Sequence, residues 1–289
     1  MISSPDSTFT NKTMLDLPFL RKEVSELSEK VAEFIYKEAQ DFDKDDIEVK
    51  SFNSLVSYVD KEAEKKIVER LRELLPQAGI IAEEGTGTPK EEGFNWIIDP
   101  LDGTTNFVHG IPVYSISIAL AFTEKKEGKT KTELLVGVVY EVSRKECFAA
   151  HQNGGATLNG KKITVSGENE LGKSLIATGF PYEDFDRIED YLFMMGKMMK
   201  AAHGLRRLGS AAVDLSYVAA GRFEGYFEYN LNSWDVAAGA LLVKEAGGIV
   251  SDFEGNEIVE NYIFGRQIIA ATQIHSQILK LVKDVFLKK

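Results

Sequence analysis

A layered fold of mixed α and β structure is predicted by three features of the 289-residue chain. Amphipathic helix patterns open it, short apolar runs separated by turn signals fill its middle, and strand and helix patterns alternate after Gly167. Leu17, Leu20, Val24, Leu27, Val31, Phe34 and Ile35 recur at three- and four-residue steps and mark the first helix. Ala63, Ile67, Val68, Leu71 and Leu75 mark the second, which Pro76 ends. Gly79 to Ala82 and Asn95 to Ile98 read as buried strands that run into acidic residues. Ser115 to Phe122, Leu134 to Tyr140 and Glu146 to Ala150 read as an antiparallel sheet, with turns at Asn153-Gly154-Gly155 and Asn159-Gly160. Beyond Gly167 the expected order is a strand at Leu175 to Thr178, helices over Phe185 to His203 and Ser210 to Ala220, a strand at Gly225 to Tyr229 and a helix from Trp234 to Ala246. A strand near Ile268 and a helix near Ile278 follow. The change of pattern divides the chain into an N-terminal half, 1–167, and a C-terminal α/β half, 168–289; with no Pro- or Ser-rich spacer between them, the two form one compact unit.

Hydrophobic residues make up 44% of the chain, enough for a sizeable core without staples. The 34 Lys and Arg against 45 Asp and Glu leave a formal net charge of −11, the opposite of a nucleic-acid binder's basic footprint, so no nucleic-acid partner is expected. The single cysteine, Cys147, can form neither an internal disulfide nor a thiolate metal site, which points to a reducing compartment and the cytoplasm. The first residues show no basic-then-apolar leader, and no apolar run approaches the roughly 18 residues that span a bilayer, so no membrane association is expected.

Chemistry concentrates in WIIDPLDGTTNF, Trp96 to Phe107. An apolar strand ends at Asp99, turns through Pro100 and presents Asp102 just before Gly103, Thr104 and Thr105. Asp99, Asp102 and the carbonyl of Leu101 are hard oxygen donors suited to Mg²⁺. Gly103 permits close backbone approach, and a helix starting here would offer N–H groups to a phosphate. Alone, such a turn is more often a solvated acidic loop. Here it is accompanied by Glu83-Glu84 after an apolar strand and by Asp235 at the start of a helix, and one metal site explains the set better than three unrelated acidic positions.

At these residues the chain resembles the inositol monophosphatase family, part of the lithium-sensitive phosphatase superfamily that includes fructose bisphosphatases. The likeness runs through KSFNSLVSYVDKEAE, AEEG, DPLDGTTNF, NGGATLNGKKITVS, LRRLGSAAVDL and NSWDVAAGALLVKEAGG, from Glu48 to Asp252. It implies an α-β-α-β-α sandwich and a Mg²⁺-dependent phosphomonoesterase with two to three ions per site. Glu83, Asp99 and the Leu101 carbonyl would hold the first ion and Asp99, Asp102 and Asp235 the second. Glu83 would also help a third that organises the attacking water, whose proton Thr104 and Asp60 would take. Gly103 and Thr104 would bind phosphate, and lithium would inhibit. A homodimer acting on a small-molecule phosphate ester is implied by the same analogy.

Lys50 and Glu64 flank Asp60 in a pattern the family shares; Glu64 either orients Asp60 or forms a solvent-facing charge pair. Ser54 and Ser57 replace the family's usual Asp and Thr. By resemblance, the substrate's hydroxyls meet Asp102, Gly209, Ser210, Ala211 and Glu228, the alternative for Glu228 being an exposed strand-end acid. Asn232 stands where many members have His, and it cannot titrate near pH 7. Arg206 and Arg207 either reach a second phosphate, as a fructose or nucleotide bisphosphatase would require, or are structural or lie at a subunit interface. His109, His151, His203 and His275 form no recognisable triad. Inositol monophosphate leads as substrate; a bisphosphate and a catalytically dead scaffold are the alternatives.

Overall fold

The structure, a computed structural model, describes residues 15–41, 47–51, 54–181 and 185–287. Residues 1–14, read above for targeting signals, and the side chains of Lys50 and Ser54 lie outside the described residues.

Helix α1 (Leu17–Asp41) buries the stripe Leu20, Val24, Leu27, Val31 and Ile35. A short hairpin, β1 (Ile47–Ser51) and β2 (Ser54–Ser57), leads into α2 (Tyr58–Leu74), whose Val59, Ala63, Ile67 and Leu71 face the same layer. Next come β3 (Gly79–Ala82), β4 (Gly93–Asp102) and the single turn α3 (Thr104–Val108). The long strands β5 (Ser115–Lys126) and β6 (Lys129–Glu141) follow, then β7 (Glu146–His151), β8 (Ala156–Leu158) and β9 (Lys161–Ile163). These form a seven-stranded sheet in sequence order, parallel between β3 and β4 and antiparallel thereafter. Asn159 and Gly160 take φ of 47° and 76°, the left-handed pair that a two-residue hairpin between twisted strands requires.

The second sheet contains β10 (Leu175–Thr178), β11 (Gly204–Arg206), β12 (Gly225–Tyr229), β13 (Ile249–Ser251) and β14 (Gln267–Ala271), in the order β11-β10-β12-β14-β13. The connecting helices are α4 (Ile188–Ala201), α5 (Ala211–Ala219), α6 (Ser233–Glu245), α7 (Val259–Ile263) and α8 (His275–Phe286). Helix α4 is shorter than the expected Phe185 to His203: Arg187 at its start grips Asp190 at 2.9 and 2.7 Å and the Phe286 carbonyl at 2.9 Å, and Ala202 is already extended.

Three apolar clusters reveal the layering. In the first sheet Trp96, Ile98, Ile116 and Val138 pack on α1 and α2, whereas Ile97, Ala119 and Val139, on the opposite face, pack on α5 and α6. The far side of that helix pair meets Ala177, Tyr226 and Ile268 of the second sheet. Its other face, through Ile176, Phe227 and Ile269, is covered by α4 and α8. The result is a five-layer α-β-α-β-α sandwich, and strand alternation places Asp99, two residues after Ile97, on the face towards the central helices. Among the described residues no helix is long and apolar enough to cross a membrane.

Candidate active site

Strand β4 breaks from its ladder at its end. Asp99 pairs with Ser117 but Asp102 with Ser115, so three steps on β4 match two on β5, and the extra residue turns the chain. The Leu101 N–H donates to Asp99 Oδ1 at 2.9 Å, fixing that turn. Gly103 caps α3 with φ of 97°, and a Cβ there would lie 3.0 Å from the Val113 carbonyl, so a side chain is excluded both by conformation and by space. Thr104 follows, its hydroxyl 2.9 Å from Asp60 Oδ1 and 3.1 Å from the Leu101 carbonyl.

Asp60 is the third residue of α2 and closes a capping box with Ser57. Its Oδ2 accepts the Ser57 N–H at 2.8 Å and the Ser57 hydroxyl at 2.6 Å. Burial raises its proton affinity above the ordinary carboxylate range, and the bonds from Ser57 and Thr104 oppose that rise. Asp60 lies behind Thr104 and does not line the pocket wall. Ser57 thus keeps the hydroxyl that holds Asp60. Glu64 is not a solvent-facing charge: it is fully buried. It accepts the N–H of Glu84 at 2.8 Å, the N–H of Thr86 at 2.9 Å and the Thr86 hydroxyl, and so braces the turn that carries Glu83.

Where the ends of both sheets meet the starts of α5 and α6 lies a pocket of about 390 Å³. Glu83, Asp99, Leu101, Asp102, Gly103, Thr104 and Asp235 line it. Burial, then the charges of Glu83, Asp102 and Asp235, push Asp99 well above the usual carboxylate range. Burial and Asp102 do the same to Asp235. Burial lifts Asp102 to about 6 against the opposing bonds from Ser210 and Ala212. Such mutual raising means that the acids repel one another at short range, and a cation among them would reverse it. Among the described residues no three His, Cys, Asp or Glu side chains form a preset metal cage. Two of the acids each commit one oxygen to a helix start: Asp102 Oδ2 accepts from the Ser210 hydroxyl and the Ala212 N–H, both at 2.7 Å, and Asp235 Oδ2 accepts the Asn232 N–H at 2.6 Å. The all-oxygen donor set fits Mg²⁺.

Gly209, Ser210, Ala211, Glu228 and Asn232 also line the pocket. Glu228 is 6% exposed, not a strand-end acid in solvent; burial lifts it to about 7, against the bond from Tyr226 and the charge of Arg207. Asn232 is exposed and caps α6. Of the two arginines only Arg207 lines the pocket; Arg206 is exposed and bonds the Leu205 carbonyl at 2.8 Å. No histidine lines it. Asp214, Asn230 and Arg266 line the pocket without having been singled out from the sequence. Asp214 had a readable signal, since it follows Ser210 by four residues on one helix face.

Fold and site together define a class, a five-layer α/β protein with an acid-lined pocket suited to a phosphate and its cations. The chain belongs to the inositol monophosphatase family, whose model matches residues 17–286. It is 42% identical over 229 residues to the Nus factor SuhB of Pseudomonas aeruginosa, covering 78% of this chain and 82% of the relative. The crystal structure of the extragenic suppressor protein suhB from Bartonella henselae superposes with a TM-score of 0.81 at 35% identity, covering 92% of this chain and 98% of that one. The Thermotoga maritima IMPase gives 0.78 at 35% identity, with coverage of 94% and 98%.

Proposed function

We propose that the protein hydrolyses a phosphate monoester of a small polyol, with inositol monophosphate as the leading candidate, in a Mg²⁺-dependent reaction. The observation that carries this reading is the placement of Glu83, Asp99, Asp102 and Asp235 in one pocket with Thr104, whose hydroxyl is bonded to buried Asp60. Glu83, Asp99 and the Leu101 carbonyl would hold one ion and Asp99, Asp102 and Asp235 a second, with Glu83 contributing to a third. The ions would neutralise the phosphate, lower the pKa of the attacking water and stabilise the leaving oxygen. Thr104 sits between the pocket and Asp60, so it can accept a hydrogen bond from water while it donates to Asp60, which takes the proton. Gly103 and Thr104 supply the phosphate-facing backbone. Gly209, Ser210, Ala211, Glu228 and Asn232 face the alcohol portion.

Phosphate release from inositol 1-phosphate, fructose 1,6-bisphosphate and adenosine 3′,5′-bisphosphate, with Mg²⁺ and with chelator, tests the reading. Mg²⁺-dependent release led by inositol 1-phosphate is expected; no release from any ester would sink it. The Nus factor name of relatives such as that of Pseudomonas aeruginosa supports a second reading, in which the chain acts through a macromolecular partner. It would keep its role when Asp99 is replaced by Asn, whereas the enzyme would not. We also propose a homodimer, which sedimentation would detect, and a division into 1–167 and 168–289 that unfolds as one unit, for which a single calorimetric transition is expected.

A further inference from the structure

Asn106, in the single turn α3, is 6% exposed, does not line the pocket, and ties together two backbones from distant parts of the chain. Its amide Nδ2 donates to the Val113 carbonyl at 2.7 Å and to the Leu208 carbonyl at 2.8 Å. Both N–H groups of the amide are thereby used, and an aspartate there would set an acceptor against two acceptors. The bond to Leu208 joins residues 102 positions apart and pins the stretch before α5 to the turn after β4. The two backbones meet closely: a Cβ on Gly103 would stand 3.2 Å from the Gly209 carbonyl, and a Cβ on Gly209, where φ is 95°, would stand 2.8 Å from Asn106 Nδ2.

The same stretch has a second anchor of another kind. After Gly209 in sequence, the Ser210 hydroxyl and the Ala212 N–H both donate to Asp102 Oδ2 at 2.7 Å. Asp102 is also one of the acids proposed to hold an ion, whereas the Asn106 amide has no duty besides the clasp. Resting on the reading of this pocket as a phosphomonoesterase site, we propose that Asn106 is a positioning residue. It fixes the wall Gly209, Ser210 and Ala211, which faces the alcohol, at a set distance from the turn Gly103 and Thr104, which faces the phosphate. A substrate that reaches both must match that distance, and a misplacement of about 1 Å can cost up to roughly 10²-fold. An ester too small to reach the wall is indifferent to it. The clasp therefore favours esters of a polyol over an ester such as methyl phosphate, and Asn106 acts on them without touching them.

The test measures, by calorimetry in Mg²⁺, the affinities of wild type and Asn106→Ala for two non-hydrolysable ligands, the phosphonate analogue of inositol 1-phosphate and methylphosphonate. The wild type is expected to bind the inositol phosphonate more tightly. In Asn106→Ala that affinity ratio should fall about tenfold, with the affinity for methylphosphonate within about twofold of wild type. Asn106→Ser, which loses both bonds but keeps a polar side chain, carries the same expectation if the alanine variant does not fold. Turnover gives an independent readout: KM for inositol 1-phosphate should rise about tenfold, while KM for methyl phosphate and the Mg²⁺ concentration for half-maximal release stay within about twofold. A merely structural role would instead lower kcat for both esters alike, through a smaller folded fraction, and leave both KM values alone. A ratio unchanged within about twofold in a folded variant, equal losses for both ligands, or a wild type that prefers neither would overturn the proposal. An inactive wild type that still showed the Asn106-dependent ratio would refute hydrolysis and leave this inference standing.

Discussion

Replacing Glu64 by Ala should destabilise the protein by about 3 kcal/mol and weaken its response to Mg²⁺, although Glu64 touches no proposed ligand. Its carboxylate receives two backbone N–H groups at 2.8 and 2.9 Å and the Thr86 hydroxyl, from residues 20 and 22 positions away. Bonds to a charged acceptor contribute about 1.5–3 kcal/mol each. Glu84 and Thr86 are not fully buried, so water can replace part of the loss, and a total near the value of one or two bonds remains. For a chain of this size about 3 kcal/mol lowers the melting temperature by roughly 6–12 °C. Glu64→Gln keeps one acceptor oxygen and should lose about half as much. Because the braced turn carries Glu83, the Mg²⁺ concentration for half-maximal phosphate release should rise about tenfold in Glu64→Ala, the usual scale for supports behind a ligand. Circular dichroism melts and phosphate release across a Mg²⁺ series measure both effects. A melt within 2 °C of wild type together with unchanged Mg²⁺ dependence would refute the bracing role.

Asp99→Asn should leave less than about 1% of wild-type phosphate release, because the acid surrounded by the other three is the proposed bridge between ions and one acid–base group alone supplies only about 10²–10⁴-fold. Thr104→Ala and Asp60→Asn should each reduce kcat by about 10²-fold with little change in KM, and the double variant should be scarcely worse than either single one if the two act as a unit. Glu141, buried at the end of β6 with one oxygen bonded to the Arg144 N–H at 2.6 Å, is lifted by burial to about 7. Below about pH 4.5 both the folded and unfolded forms hold its proton; between there and pH 7 only the unfolded form loses it, so stability falls as pH rises. Urea denaturation should therefore show Glu141→Gln gaining about 2 kcal/mol on wild type between pH 4.5 and pH 8, and a constant difference would contradict the assignment.

How much of this was legible depends on the length of each pattern. The stripe of α1 and the alternation in β5 and β6 run for 12 residues or more, long enough for burial to print a period on the sequence. β11, β13 and α7 span three to five residues, shorter than any period that could be counted, and their positions come from neighbouring strands and helices. Glu83, Asp99 and Asp102 could be picked out because each interrupts or follows an apolar run, and Asp235 because it opens one at the start of a helix. Glu64 could be named beside Asp60, but its burial and its hold on the turn after β3 could not be read, because Lys61, Glu62, Lys65 and Lys66 around it make a charged helix face seem to continue through it. Asp214 is the opposite case: every residue of α5 is buried, so a single carboxylate in AAVDLSYVA was itself an anomaly.

Asp60, Asp102 and Asp235 share one device, and it ties the site to the fold. Asp60 and Asp235 are both third residues of their helices and both close capping boxes, the first with Ser57 and the second with Asn232. Asp102 does the equivalent for α5 from outside, through Ser210 and Ala212. In each case one oxygen satisfies N–H groups that a helix start leaves without partners, and the second oxygen is left for chemistry, as Asp60 Oδ1 is for Thr104. The same carboxylates thus set where α2, α5 and α6 begin and where the site's charge stands. An amide at any of these positions could retain an acceptor for the cap while losing the charge. The Asp-to-Asn variants should for that reason keep near-native melting temperatures while losing turnover, whereas the alanine variants lose the cap as well, at a cost of about 1 kcal/mol.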